Sequence, residues 1–177
     1  MSSDRDRRGE TGGGGGLNPA ARASPSTTPD PIVAEAALLA IAGGGLQDLH
    51  DQIIEMVAAR TGADVVALVA VSPLDRGMTV LAQHGLRHSP DGLIGTGADL
   101  ALVSAEQTVI TPSVSKGSGA VAALLHLNGQ RAAAAAGLGP HGVTEVLVAA
   151  RERGSLSSGA PTSLAGVARV IASVERS

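Results

Sequence analysis

Side chains able to do covalent chemistry are scarce in this 177-residue sequence. Cys is absent, which excludes disulfides, thiolate metal sites, thiol nucleophiles and thioether-linked cofactors. Five histidines remain, at 50, 84, 88, 126 and 141. His84 and His88 are four apart, a spacing that on a helix would set two imidazoles side by side for a metal. Here a strand end and Gly85 come between them, and no third ligand is evident, so no metal is expected. Ser113-Val114-Ser115-Lys116 fits the Ser-x-x-Lys pattern of penicillin-recognising enzymes, but the Ser-Asp-Asn and Lys-Thr-Gly motifs that complete such a site are missing. A Gly-x-Ser-x-Gly elbow is missing too. Gly12 to Gly16 lacks the preceding strand, the Gly-Lys-Ser/Thr ending and the following helix of a phosphate-binding loop. Nothing here supports an enzyme.

Composition narrows the partners. Phe, Trp and Tyr are all absent, so there is no ring on which single-stranded nucleic acid could stack and no cage for a quaternary ammonium. The 13 basic and 16 acidic residues leave a net charge of −3, which argues against a phosphate-tracking surface. Direct nucleic-acid binding is not expected. The apolar runs, such as Val65 to Val71, fall far short of the roughly 20 residues that span a bilayer. Arg5, Arg7 and Arg8 are followed by Gly, Pro, Ser and Thr, not by the apolar stretch of an export signal. Neither a membrane nor a cofactor is expected, and the cytoplasm is the expected compartment. Leu, Ile and Val together number 43 of the 177 residues, enough to build a core without staples.

The elements follow from punctuation and periodicity. Residues 1–31 read as a disordered tail rich in Gly, Pro and Ser, in which Leu17 is the lone large aliphatic. Asp30 and Pro31 are a cap and a first helical residue for a helix over Ile32 to Ala42. That helix is apolar nearly all round, which demands burial, and Gly43 to Gly45 ends it. A second helix runs from about Leu46 to Arg60. Its stripe is Leu49, Ile53, Met56 and Val57, His50 is assigned to its polar side, and Gly62 supplies a left-handed cap. Val65 to Val71 and the alternating Met78 to His84 make a hairpin across a turn containing Pro73, Asp75 and Gly77. Gly85 to Gly97 is a loop. Beyond it come a short helix near Ala98 to Ala105, a strand at Gln107 to Thr111, and a helix to Leu127 capped by Ser118. A second hairpin pairs Arg131 to Gly137 with Thr144 to Ala150, although Ala132 to Ala136 favour a helix intrinsically. Thr162 is read as the cap of a last helix with Leu164, Val167, Ile171 and Val174 on one stripe. Two hairpins require an antiparallel sheet, so the fold class is α+β.

This order resembles the GAF family, small-molecule sensor domains related to PAS. Leu49 to Ile54 running through Arg60-Thr61-Gly62-Ala63-Asp64 into Val65 to Val71 carries the likeness. So do Leu81 to Leu86, Thr108-Val109-Ile110-Thr111-Pro112, Gly129 to Ala132, Val146 to Arg151 and Leu164 to Glu175. The helix before Gly45 resembles those preceding GAF domains in bacterial transcription regulators, the PucR type among them, yet no DNA-binding segment follows within these residues. The resemblance implies a GAF-like domain over residues 32–177, with a leading helix at 32–45 and a core at 46–177. It also implies a central antiparallel sheet of five or six strands, long terminal helices on one face, and short helices and loops on the other. Three family activities lack their residues here. The Asn-Lys-Phe-Asp-Glu signature of cyclic-nucleotide binders needs a Phe, bilin attachment needs a Cys, and the free methionine sulfoxide reductases need cysteines and an aromatic pocket.

By the same resemblance a ligand pocket lies between the sheet and the irregular middle. His88, Thr111, Ser113, Lys116, His126 and Arg131 are the polar groups that could converge there. Lys116 and Arg131 beside Ser113 and Thr111 could hold an anion through charge-assisted hydrogen bonds. The expectation is a sensory or regulatory domain that binds an unidentified small molecule or relays a signal to a partner, and that forms a homodimer through its terminal helices. A ligand-free interaction or dimerisation module is the alternative, and a hydrolase or reductase a remote one.

Overall fold

A computed structural model describes residues 28–104, the backbone of 109–111, and residues 119–138 and 145–177. The tail at 1–27, the loop containing Ser113 and Lys116, and the turn after Leu138 lie outside the described residues. The elements are α1 (Pro31–Ala42), α2 (Leu46–Thr61), β1 (Val65–Val71), β2 (Met78–His84), α3 (Gly97–Val103), β3 (Val109–Thr111), α4 (Ala120–Leu127), β4 (Ala132–Gly137), β5 (Glu145–Arg151) and α5 (Ala160–Glu175).

Among the described residues the strands form one antiparallel sheet in the order β2-β1-β5-β4-β3. The second hairpin docks on the first through β1 and β5, from Val65 opposite Ala150 to Ala70 opposite Glu145. Both faces of this centre are covered, which is why β1 and β5 are aliphatic almost throughout instead of alternating. Successive side chains still point to opposite sides. Val66, Leu68, Leu147, Ala149, Ala134 and Ala136 pack against the helix side with Ile53, Val57, Leu164, Val167 and Ile171. On the other side Val65, Val146, Val148 and Ala133 pack with Val103, Val121 and Leu125, while Ala67 and Val69 pack with Leu124.

Local rules set several boundaries as expected. Asp30 Oδ1 accepts from the backbone N–H of Ile32 at 2.9 Å and of Val33 at 3.4 Å, and its Oδ2 accepts from Ser163 Oγ at 2.6 Å. The cap of α1 is thereby tied to the start of α5. Gly62 adopts the left-handed conformation (φ 65, ψ 25) and donates to Ala58 O. β4, with its five alanines, is a strand because its backbone pairs with β5 along one side and, over Ala133 to Ala135, with β3 along the other. Sheet context outweighs the few tenths of a kcal/mol per residue by which alanine favours helix.

Three expectations need correcting. First, α5 begins at Ala160, with Gly159 as the cap residue and no side-chain cap, instead of at Thr162; Pro161 opens the first turn without needing an N–H. Second, His50 is not on the polar side of α2. It is 3% exposed and faces Glu175. Third, α1 does not pack mainly on the sheet. It rests on α5 and α2 as a further layer, its Val33 filling the space left by the missing side chain of Gly166, and Glu35 pairs with Arg60 at 2.8 Å.

Among the described residues, therefore, α1 is covered on one side only. Ala36 is fully buried, while Leu38 is 67% and Ile41 80% exposed. The exposed residues of α1 are Pro31, Leu38, Ile41 and Ala42, all apolar, and the partly exposed side chain of Glu35 borders them.

Candidate functional site

The side of the sheet away from the long helices is roofed by α3, α4 and the segment between β2 and α3. The roof is pinned by two buried side chains. Thr96 caps α3, and Asp99 closes the reciprocal box. Asp99 Oδ2 accepts from Thr96 N–H at 2.6 Å and from Thr96 Oγ1 at 3.0 Å. The same carboxylate crosses to the start of α4 and accepts from Ala120 N–H and Val121 N–H, both at 2.9 Å. It serves two helix N-termini at once, where unpaired N–H groups and the helix dipole favour an anion. Burial alone would push this carboxyl up, but the bonds from Val121, Ala120 and Thr96 outweigh it and hold the pKa below its ordinary 3.8. Gly119 makes the approach possible: its φ is +105, and a side-chain carbon there would lie 2.6 Å from Asp99 Oδ1. The expected cap of this helix, Ser118, lies outside the described residues; Gly119 holds the cap position without a side-chain cap, and the first N–H groups of α4 are taken up by Asp99.

The second pin is Asn128, at the end of α4. Its Oδ1 accepts from Arg87 N–H at 2.7 Å and His88 N–H at 2.9 Å. Its Nδ2 donates to Leu124 O at 2.8 Å and His88 O at 3.3 Å. Both faces of the amide are used, and the loop after β2 is held against α4. Replacing Asn128 by Ala would strand these loop groups and is expected to cost about 2 kcal/mol, by the usual penalty for unmet buried partners. Chemical denaturation would show it, and a loss under about 0.5 kcal/mol would contradict the assignment. Gln130 is also buried. It donates from Nε2 to Asn128 O at 3.0 Å, and its Oε1 has no partner among the described residues.

Four of the six sequence-selected residues fall at this end of the roof. His88 is tied to Asn128 through its backbone, His126 is in the last turn of α4, and Arg131 immediately precedes β4. Thr111 pairs with Ala133, two residues from Arg131. The side chains of His88, His126 and Arg131 are exposed, so none of them lies in the interior. Ser113 and Lys116 lie outside the described residues. Asn128 and Gln130 were missed as site residues, because their role depends on contacts with distant loop backbone. Asp99 had a local signal in the Thr96-x-x-Asp99 pattern before an apolar run. Among the described residues no group of His, Asp and Glu could hold a metal, and no helix is long and apolar enough to cross a membrane.

No protein-family model matches this chain, and no curated protein matches it in sequence. Solved structures do match in fold. The chromophore-binding domain of a Stigmatella aurantiaca bacteriophytochrome aligns over 82% of this chain with a TM-score of 0.63 and 16% identity. The chain spans 59% of that protein's length. The GAF domain of an Acinetobacter phosphoenolpyruvate-protein phosphotransferase aligns over 81% of this chain and 89% of its own length, with a TM-score of 0.60 and 18% identity. The chromophore-binding domain of an unusual bacteriophytochrome from R. palustris gives 0.59 at 11% identity, over 80% of this chain and 58% of that one. The fold of this chain is the GAF fold.

Proposed function

We propose that this chain is a regulatory domain of the GAF type. It works as a homodimer paired through α1 and passes the state of a small-molecule site beneath the roof to its helix layer. The observation that supports this most is the exposed part of α1, where Pro31, Leu38, Ile41 and Ala42 carry no charge. Such a face is costly to leave in water, and a second copy presents the same uncharged surface to it. The path between the layers is short. β1 and β5 carry side chains to both the roof and the helices, so a ligand that binds one arrangement of the roof better shifts the population of both layers. The neighbours named as chromophore-binding domains support a ligand beneath the roof, although covalent attachment through Cys is closed to this chain. Exposed His88, His126 and Arg131, with buried Gln130 next to Arg131 in sequence, would favour an anionic or hydrogen-bonding molecule. On this reading the chain is not an enzyme.

A second reading is favoured by the packing at β4. A side chain on Gly137 would lie 2.2 Å from the carbonyl oxygens of both Leu102 and Val103, so α3 closes directly on the sheet there. That closeness fits a module whose interior is filled by its own side chains. A thermal-shift screen with purines, cyclic nucleotides and small carboxylates separates the two. The sensor reading expects a ligand at 100 times its Kd to stabilise the fold by about 2.7 kcal/mol. No shift with any class would leave the ligand-free module.

A further inference from the structure

Polar contacts hold α5 at both of its ends, and they differ in kind. At the start, Ser163 Oγ donates to Asp30 Oδ2 at 2.6 Å and to Gly159 O at 3.1 Å, bonds that need no cation. At the end, His50 of α2 brings its Nε2 to 3.0 Å from Oε1 of Glu175, the last residue of α5. These two side chains are only 4% and 10% exposed. The two atoms are not aligned as a hydrogen bond, and neither has another hydrogen-bond partner among the described residues. Charge is what holds them.

A carboxylate taken out of water must meet a cation or give up its charge. Among the described residues Glu175 forms no ion pair except with His50. The other ionisable groups of the elements packed here are matched, exposed or acidic. Glu35 of α1 pairs with Arg60, and His84 of β2 with Glu55. Asp48 and Asp51 of α2 are exposed, as are Arg169 and Arg176 of α5. β1 and β4 contain no ionisable residue. On β5, Arg151 lies at the far end and donates to Ser155 O. Glu145 opens the same strand opposite Ala70, and alternation puts it on the helix side with Leu147 and Ala149. It supplies no cation. The charge of His50 exists only while the ring carries its second proton.

We propose that the proton on His50 keeps the last turn of α5 seated on α2: the imidazolium balances the buried charge of Glu175, and loss of the proton frees that turn. A neutral ring leaves a carboxylate nine-tenths buried without a cation, so the turn moves out to water. The start of α5 stays tied to the cap of α1 through Ser163 and Asp30. The hold is complete where the ring is protonated and the carboxyl ionised. It is lost as pH rises through the range, roughly 5 to 8, in which histidine discharges. The proton is therefore a ligand of the helix layer, independent of anything bound beneath the roof.

Hydrogen exchange of residues 171–177 in the full chain, corrected for intrinsic rates, reads the seating between about pH 5 and 8. The opening constant is expected to rise with pH by up to about tenfold per unit, the limit for one proton. His50→Gln keeps a side chain of similar size without the charge, and should leave the peptide open with a flat profile. Glu145 is the other group that titrates at this end, pushed from 4.5 to about 8 by burial and then by the Glu175 carboxyl. Glu145→Gln should therefore keep the wild-type slope. A flat wild-type profile, a slope that survives in His50→Gln, or one that vanishes in Glu145→Gln would overturn the proposal. Should His50→Gln fail to fold, Glu175→Gln decides: with no buried charge to balance, its profile is expected to be flat, and a wild-type slope there refutes the proposal.

Discussion

Asp99→Ala is expected to lower the unfolding free energy by about 3 kcal/mol, the largest loss from any one side chain of the roof. The estimate combines the lost reciprocal bond of the α3 box, about 1 kcal/mol, with about 2 kcal/mol for leaving Ala120 N–H and Val121 N–H buried without an acceptor. Both donors now meet the carboxylate at 2.9 Å. Asp99→Asn keeps one acceptor oxygen and should fall between the two. The wild-type advantage has a pH signature whose sign follows from the lowered pKa. A carboxylate whose folded pKa is depressed adds stability above its ordinary value and loses it as pH falls through the folded one. The gap between wild type and Asp99→Ala should thus be full at pH 6 and shrink below about pH 3.8. Urea unfolding at several pH values measures it. A gap under 1 kcal/mol that ignores pH would show that the two helices do not depend on this residue.

Ile41→Glu, alone or with Leu38→Glu, is expected to weaken self-association more than a hundredfold while leaving the protomer intact. Both side chains lie on the outer face of α1, away from the contacts with Ala36 and Val33 that seat the helix on α5. In a two-fold pair each substitution counts twice. Losing the burial of two isoleucines at about 1.5–3 kcal/mol each corresponds to at least a hundredfold in Kd, before the repulsion of the new charges is added. Sedimentation equilibrium on wild type and variants reads the constant, and circular dichroism shows whether the fold is kept. Unchanged association in the variant would place the contact elsewhere.

Features set by neighbours in sequence could be read before the fold was known. Asp30 with Pro31, Gly62 after Arg60, the Leu164–Val167–Ile171 stripe and the buried run Val65 to Val71 each follow from a local rule on capping, handedness or period. Where a residue answers to a distant one, the local rule misleads. His50 sits among the polar residues of α2 in sequence, but the C-terminal end of α5 closes over it. The box formed by Thr96 and Asp99 is visible in four residues, whereas the reach of the same carboxylate to α4 requires Gly119 and the sheet to bring the helices together. Apolar character predicted that α1 must be covered, but composition could not tell which layer covers it. Among the described residues one side meets α5 and α2, and the other meets nothing. At the candidate site, exposed His88, His126 and Arg131 were nameable from sequence as polar residues. Asn128 and Gln130 were not, because an amide in sequence carries no mark of the backbone it will bind.

The function proposed for this domain turns on whether two copies pair. The mass of the wild-type chain by sedimentation velocity, from 1 to about 100 µM at pH 7, is the most direct measurement. Pairing through α1 predicts a species of twice the chain mass that grows with concentration and disappears in Ile41→Glu. A single species of one chain mass throughout that range would contradict it.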